Sequence, residues 1–244
     1  MHRFYADSES PESGRVYLSP EDAHHALHVL RLKNGDAVEL ILNGERYHAG
    51  LSLEDSGRVS AVLDSLLPDT EPKIRITLFQ GIPKGDKMEL IIQKAVELGV
   101  STIVPVMMSR CVVRFSDKDA ERKMERWQRI AREAGKQSGR CMIPEVCLPC
   151  PLYSLADHIA AAGNTVVPWE NCIGTGPKTY AVSHPELHSL GIVIGPEGGI
   201  ADDEIAFLRT QGCEPITLGP RILRTETAGL AAVSAFLALY GEME

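Results

Sequence analysis

Apolar and polar positions alternate with a period of two along the first third of the chain. Residues 15–18 (RVYL), 36–42 (DAVELIL), 46–53 (RYHAGLSL) and 58–67 (RVSAVLDSLL) read as short strands on that pattern. Asn43-Gly44 separates two of these runs, and both residue types tolerate positive φ, so a tight hairpin is predicted there. One helix, from about Glu21 to Leu30, interrupts what otherwise reads as a small β-barrel or β-sandwich. The segment LLPDTEPK (66–73) combines prolines with polar residues and reads as a linker, dividing the chain into domains at 1–70 and 73–244.

After residue 73 the period changes. Short apolar runs alternate with stretches of helical spacing: IRITLFQ (74–80), then a helix from Lys87 to Leu98 that Asp86 can cap and Gly99 can end. STIVPVMM (101–108) follows, then a long helix over about Asp119 to Gln137. Further strands are predicted in VVPWE near Val166, at 191–195 (GIVIG) and at 214–219 (EPITLG). An Ala-rich helix starts at about Ala228, with Thr225 or Thr227 able to cap it. Such alternation predicts an α/β fold, a mostly parallel sheet with helices on both faces, whose ligands sit at the carboxyl ends of the strands.

Composition changes this picture in two ways. The longest apolar run, Ala228 to Tyr240, is too short and too Ala-rich for a membrane span, and the first residues lack the pattern of a secretory signal. A cytoplasmic protein with no membrane partner is expected, and its six cysteines are expected to be reduced. Cys147 and Cys150 form a lone C-x-x-C with no second pair, and His24 and His28 lack a third ligand, so no metal is expected. The net charge of −8 conceals a pattern. Residues 1–72 hold six Lys and Arg against thirteen Asp and Glu, residues 73–140 hold fifteen against eight, and residues 141–244 hold four against twelve. The basic block is the expected footprint of a nucleic acid. Within it Arg122, Arg126, Arg129, Arg132 and Lys136 share one arc of the long helix, while Ala120, Met124, Trp127, Ala131 and Ala134 lie opposite. The stripe carries no acid of its own, and Arg110, Arg114 and Arg140 extend it as candidate RNA contacts.

Three loops follow three of the predicted strands: Pro168-Trp169-Glu170, Gly195 to Gly199 (GPEGG), and Gly219 to Thr227 (GPRILRTET). The second permits close backbone approach to a ligand. Neither phosphate-binding glycine fingerprint is present, and Asp202, Asp203 and Glu204 open the next helix, where they would repel a diphosphate. An adenosine ligand with a positive sulfonium meets no such conflict.

In HHALHVLRLKNGD (24–36), KGDKMELIIQKAVELGV (84–100), SRC (109–111), WQRIAREAGKQSGR (127–140), IGPEGGI (194–200) and LGPRILRTETA (218–228), the chain resembles the ribosomal small-subunit RNA methyltransferase E family of the SPOUT superfamily. The resemblance spans essentially the whole chain. It implies a SPOUT domain with a trefoil knot, an exception to un-knotted topology, preceded by a PUA-like RNA-binding barrel. It also implies S-adenosylmethionine as cofactor, held by Val167, Pro168, Gly195, Pro196, Glu197, Gly198, Gly199, Leu218, Gly219, Ile222, Leu223 and Thr227. A homodimer, with the C-terminal helix at its interface, is implied, as is methylation of a uridine N3 in 16S ribosomal RNA, presented free or in the small subunit.

For such chemistry the N3 proton must leave, and Glu197 and Glu226 are the candidate acceptors, Glu197 alternatively being a structural loop residue. Arg224 can stabilise the developing imide anion or hold the target phosphate. Two other classes stay open on sequence: methylation of another RNA base or a non-catalytic RNA-binding module, and a nucleotide-dependent oxidoreductase using the Gly-rich loop.

Overall fold

The computed structural model describes residues 1–6, 14–54 and 58–243. It divides into two compact units, Met1–Glu71 with Gly139–Met142, and Pro72–Ser138 with Ile143–Glu244.

In the first unit, β1 (His2–Ala6), β2 (Arg15–Tyr17), β3 (Ala37–Leu42), β4 (Glu45–Leu53) and β5 (Val59–Leu66) form one curled sheet in the order β1-β3-β4-β5-β2. β1 pairs parallel to β3 and the other pairs are antiparallel. The β3–β4 turn is closed by Asn43 and Gly44 at φ 52° and 81°, both in the left-handed region that the Asn-Gly pair predicts. Phe4, Val16, Leu40, Leu51 and Ala61 point to one side and bury against Ala26. The helix expected from Glu21 to Leu30 is split. α1 (Pro20–His24) starts at Ser19, whose Oγ accepts from the Asp22 amide at 3.1 Å, and then widens into a π-helical turn over His25–Val29. Arg31 follows in the left-handed region at φ 56°.

Arg140 belongs to this unit and is corrected as an RNA contact. It is 4% exposed, and its Nε donates to Glu71 Oε2 at 2.8 Å. Glu71 Oε1 also accepts from the amides of Cys141 and Met142 at 2.7 and 3.1 Å. A local charge pattern cannot reveal a carboxylate 69 residues away that satisfies and buries a guanidinium.

The second unit is built on β6 (Arg75–Gly81), β7 (Thr102–Met107), β8 (Glu145–Val146), β9 (Cys150–Pro151), β10 (Thr165–Pro168), β11 (Ser189–Ile194) and β12 (Glu214–Ile216). Their order is β12-β10-β11-β6-β7-β8, with β9 on the far end of β7, and every pair is parallel. The helices are α2 (Lys87–Leu98), α3 (Asp117–Ser138), α4 (Ala156–Ala162), α5 (Pro177–Ser183), α6 (Asp202–Thr210) and α7 (Thr225–Leu239). Strand alternation assigns them to faces. Ile76, Leu78, Leu190, Ile192 and Ile194 pack with Ile91 of α2, Trp127 of α3, Tyr180 of α5 and Phe236 of α7. Phe79, Val104 and Val193 pack instead with Ile159 of α4 and with Ile205 and Leu208 of α6. The sheet with helices on both faces is as the alternation predicts.

Several boundaries differ from those read in the sequence. α2 ends at Gly99 in the left-handed conformation, but the Asp86 side chain makes no capping bond. α3 begins at Asp117 rather than Asp119, after Ser116, whose Oγ accepts from the Asp119 amide at 3.3 Å. β12 stops at Ile216 instead of residue 219, because Thr217 Oγ1 accepts from the Gly219 amide at 3.1 Å and turns the chain. α7 begins at Thr225, and neither threonine caps it, since the Thr225 hydroxyl is engaged elsewhere.

Candidate active site

β10, β11 and β12 run parallel and side by side, so the loops after them leave from one edge of the sheet. These loops enclose a cleft of about 960 Å³. The first loop is laced to the third strand: the Trp169 amide donates to Ile216 O at 3.0 Å and the Thr217 amide to Thr175 O at 2.8 Å. The second packs on β6 with no room to spare. A Cβ on Gly81 would lie 2.6 Å from the Pro196 nitrogen, so only glycine allows this approach of two backbones. The third is anchored by Thr225, whose Oγ1 donates to Gly195 O at 2.6 Å and accepts from the buried Gln80 Nε2 at 2.9 Å.

Pro168, Gly195 to Gly199, Leu218, Gly219, Ile222, Leu223 and Arg224 all line this cleft. Val167 does not. It points into the core at 0% exposure, one residue short of the strand end, where the pleat turns it away. Thr227 lies outside the lining too, in the first turn of α7 with its side chain exposed. Ile222 reaches the cleft only from the rim, at 82% exposure.

Lys87 and Glu197 line the cleft, and Glu226, outside the lining, joins them. Lys87 Nζ lies 3.0 Å from Glu197 Oε1 and 3.2 Å from Glu226 Oε2. The Lys84 amide also donates to Glu197 Oε1 at 3.2 Å. Burial acts to raise the Glu197 carboxyl, but its own amide, Lys87 and the Lys84 amide outweigh this and hold it below the usual carboxylate range. Glu226 is lowered by its own backbone amide first, against some desolvation, and then by Lys87 and Arg224. Lys87 in turn is raised by Glu197 and then Glu226. Reading the sequence singles out both carboxylates but not the lysine between them. The available signal is its position: a cation in the first helical position of α2 stands at the positive pole of the helix and calls for anionic partners.

The remaining cations are distributed differently. Arg110 is brought to the Gly-rich loop, donating through Nη1 to Gly198 O at 2.9 Å. Arg114 turns back on Ser109 O at 3.2 Å. On α3, Trp127 is buried and Arg122, Arg126, Arg129 and Arg132 are exposed, with Lys136 half-buried. The stripe is not without acids, which corrects the helical-wheel reading. Arg126 Nε pairs with Glu89 Oε1 of α2 at 2.8 Å, and Arg122 with Asp119 one turn back at 3.2 Å. A wheel drawn on α3 alone omits Glu89 of α2, and exposed pairs of this kind contribute little stability.

The start of α6 is closed to a phosphate. The buried Glu204 turns its Oε2 to the Ala201 amide at 3.0 Å and its Oε1 to the Ser109 amide at 2.7 Å. A carboxylate already occupies the pole that a diphosphate would need. His24 and His28 lie with their ring centroids 4.6 Å apart, tilted by 40°, in the first unit.

Comparison with known proteins agrees with this geometry. Residues 70–237 match the family described as RNA methyltransferase domain, and residues 18–64 match the RNA methyltransferase PUA domain. The ribosomal RNA small subunit methyltransferase E of Bacillus subtilis is 35% identical, over 96% of this chain and 95% of the relative. That of Aquifex aeolicus is 32% identical, over 97% and 99%. The crystal structure of the Neisseria gonorrhoeae enzyme of the same name, bound to S-adenosyl methionine, is 34% identical and superposes over 100% of both chains with a TM-score of 0.85. The fold is thus the SPOUT-type parallel sheet preceded by a PUA-like domain, as the resemblance implies. This chain belongs to the ribosomal RNA small subunit methyltransferase E family.

Proposed function

We propose that the chain methylates N3 of a uridine in 16S ribosomal RNA, with S-adenosylmethionine as donor. One observation carries the reading: three parallel strand ends deliver their loops to a single cleft of about 960 Å³, lined by Lys87 and Glu197, with Glu226 paired to the same lysine. The cleft is of the size of small-ligand sites. Pro168, Pro196, Leu218 and Leu223 offer an apolar wall for an adenine, and the glycines of residues 195–199 leave backbone groups accessible to it. The Glu204 plug on α6 argues against the dinucleotide alternative. S-adenosylmethionine, when bound, supplies a methyl group on an electrophilic sulfonium.

The chain's residues then do four things. The loops at Pro168, Gly195–Gly199 and Leu218–Leu223 hold the donor, so that alignment lowers the barrier. A carboxylate of the Glu197–Lys87–Glu226 cluster, kept ionised, takes the imide proton. Arg224 faces the developing negative charge or the target phosphate. The exposed cations of α3, together with Arg110 and Arg114, hold the RNA backbone around an unpaired or flipped base. The PUA-like unit carries a second RNA surface.

We read the chain further as a cytoplasmic homodimer with a trefoil knot. Insertion of β11 between β10 and β6 is in keeping with a knotted path, and no helix among the described residues is long and apolar enough to cross a membrane. The test is transfer of a labelled methyl group to small ribosomal subunits lacking the modification, followed by mapping of the modified nucleotide. Labelling at a uridine N3 is expected, and label on another base or none overturns the reading. Substituting Glu197 and Glu226 separately by Gln tests the carboxylate. If neither substitution slows single-turnover transfer, the carboxylate base is wrong.

A further inference from the structure

We infer that Lys87 and Glu197 form a fixed ionic clamp between α2 and the second loop, leaving Glu226 as the carboxylate that accepts the imide proton under the control of Lys87. The inference rests on the proposed uridine methylation and divides the labour within its cluster.

The two carboxylates are not equivalent. Glu197 is satisfied on several sides, with Lys87 at 3.0 Å and the Lys84 amide at 3.2 and 3.3 Å from its two oxygens. Such a carboxylate has few lone pairs left for a proton. Glu226 Oε2 is buried and has Lys87 Nζ at 3.2 Å as its partner from another segment, without the loop amide that Glu197 receives from Lys84. Glu226 therefore keeps more lone-pair capacity than Glu197, one side chain behind the cleft that Lys87 and Glu197 line. Of the two carboxylates it is the one with room to accept a proton brought in by a substrate. Lys87 is also in the first helical position of α2, where the helix pole opposes a cation, so its side chain is held by these two carboxylates rather than by its own helix.

The surrounding charges are few. Arg224 precedes Glu226 on the third loop, Lys84 lies on the β6–α2 loop, and Asp86 stands next to Lys87. Arg110 and Glu170 approach Gly199 of the Gly-rich loop, and Glu89 of α2 is paired with Arg126. Among these, Lys87 is the cation shared by both carboxylates.

In the reaction, N3 forms its bond to the methyl carbon as the C–S bond breaks, the bonding pair staying on sulfur to give a neutral thioether. The N3–H bond breaks, its electron pair remains on nitrogen, and the proton passes to Glu226. Lys87 keeps Glu226 ionised before transfer and offsets the charge of Glu197 throughout. It touches neither methyl nor base in this scheme and is a positioning residue.

Removing the ammonium raises the proton affinity of Glu226. In Lys87→Met the acidic limb of the kcat/KM profile, measured with labelled methyl donor on small subunits lacking the modification, moves to higher pH by on the order of one unit. Lys87→Arg restores it, and covers the case in which the methionine variant folds poorly. A purely structural lysine would lower activity equally at all pH values and leave the limb in place. Carbon-13 NMR titration of the glutamate carboxyls, assigned through Glu226→Gln and Glu197→Gln, separates two failures. If the Glu226 resonance titrates identically in wild type and Lys87→Met, the role of Lys87 is overturned. If the resonance shifts but the rate limb does not, Glu226 is not the proton acceptor. A Glu226→Gln variant with the wild-type single-turnover rate likewise removes Glu226 as the acceptor while leaving methylation itself intact.

Discussion

Thr225 Oγ1 donates a 2.6 Å hydrogen bond to the carbonyl of Gly195, joining the first turn of α7 to the first residue of the Gly-rich loop. The same hydroxyl accepts from Gln80 Nε2 at 2.9 Å, and Gln80 is 0% exposed at the end of β6. One buried hydroxyl thus holds three chain segments that are distant in sequence. Replacing it by a methyl in Thr225→Val strands a carbonyl and an amide together, which costs about 1–3 kcal/mol. Urea unfolding should show that loss, and calorimetry should show weaker S-adenosylmethionine binding because Gly195 lines the cleft. Thr225→Ser should retain both. A valine variant with an unchanged midpoint and affinity would mean that this bond does not hold the loop in place.

Gly81 makes the complementary prediction about space. Its missing side chain admits Pro196 N at 2.6 Å and Gly195 C at 2.9 Å from where a Cβ would stand. These are backbone and ring atoms, which cannot swing aside as a flexible side chain does. Gly81→Ala should therefore cost about 1–3 kcal/mol as overpacking, and should displace the Gly-rich loop enough to weaken the methyl donor's binding. Substitution at Gly85, whose Cβ would meet nothing within 4 Å, controls for overpacking, although its φ of 64° disfavours a side chain. If Gly81→Ala binds the donor as wild type does, the loop is more yielding than its packing indicates.

What can be read from the residues alone divides along a physical line. Features set by neighbours in sequence are legible. Asn43-Gly44 closes its hairpin, Gly99 ends α2, and Trp127 turns to the core because each outcome depends on residues within a turn or two. The loops of residues 168, 195–199 and 218–224 can be located because strand ends on a parallel sheet face one way. Features set by distant partners are not legible. Arg140 looks like a surface cation until Glu71 buries it, and Lys87 looks like an ordinary helix residue until two loops place carboxylates beside it. Val167 is implied as a cofactor residue by the resemblance, whereas the strand turns its side chain into the core, on the face opposite to that of Pro168.

The Arg140–Glu71 pair yields a stability prediction independent of the cleft. Arg140 is 4% exposed, and Glu71 accepts from its guanidinium and from the amides of Cys141 and Met142. Removing one member of a buried pair leaves the other charged and unpaired, at a cost of about 3–5 kcal/mol. Arg140→Met and Glu71→Gln should each lower the unfolding midpoint substantially, and the double substitution should cost less than the sum of the two. Strict additivity in that cycle would mean that the pair is not coupled.

The cations of α3 make the last prediction, and here their partners set its sign. Arg122 and Arg126 already face Asp119 and Glu89, so RNA must compete with these carboxylates for them. Such exposed pairs are weak, and a polyanion that releases its own counterions displaces them readily. Converting Arg122, Arg126 and Arg129 to Gln should therefore weaken RNA binding and flatten the dependence of log K on log salt by about 0.7 for each single-strand phosphate no longer neutralised. The affinity for S-adenosylmethionine should stay as it is. Glu89→Gln should act in the opposite direction, releasing Arg126 to the RNA, tightening binding at low salt and steepening the slope. If the triple variant keeps the wild-type slope, the RNA does not lie along α3, and a steeper slope in Glu89→Gln could not then be credited to Arg126.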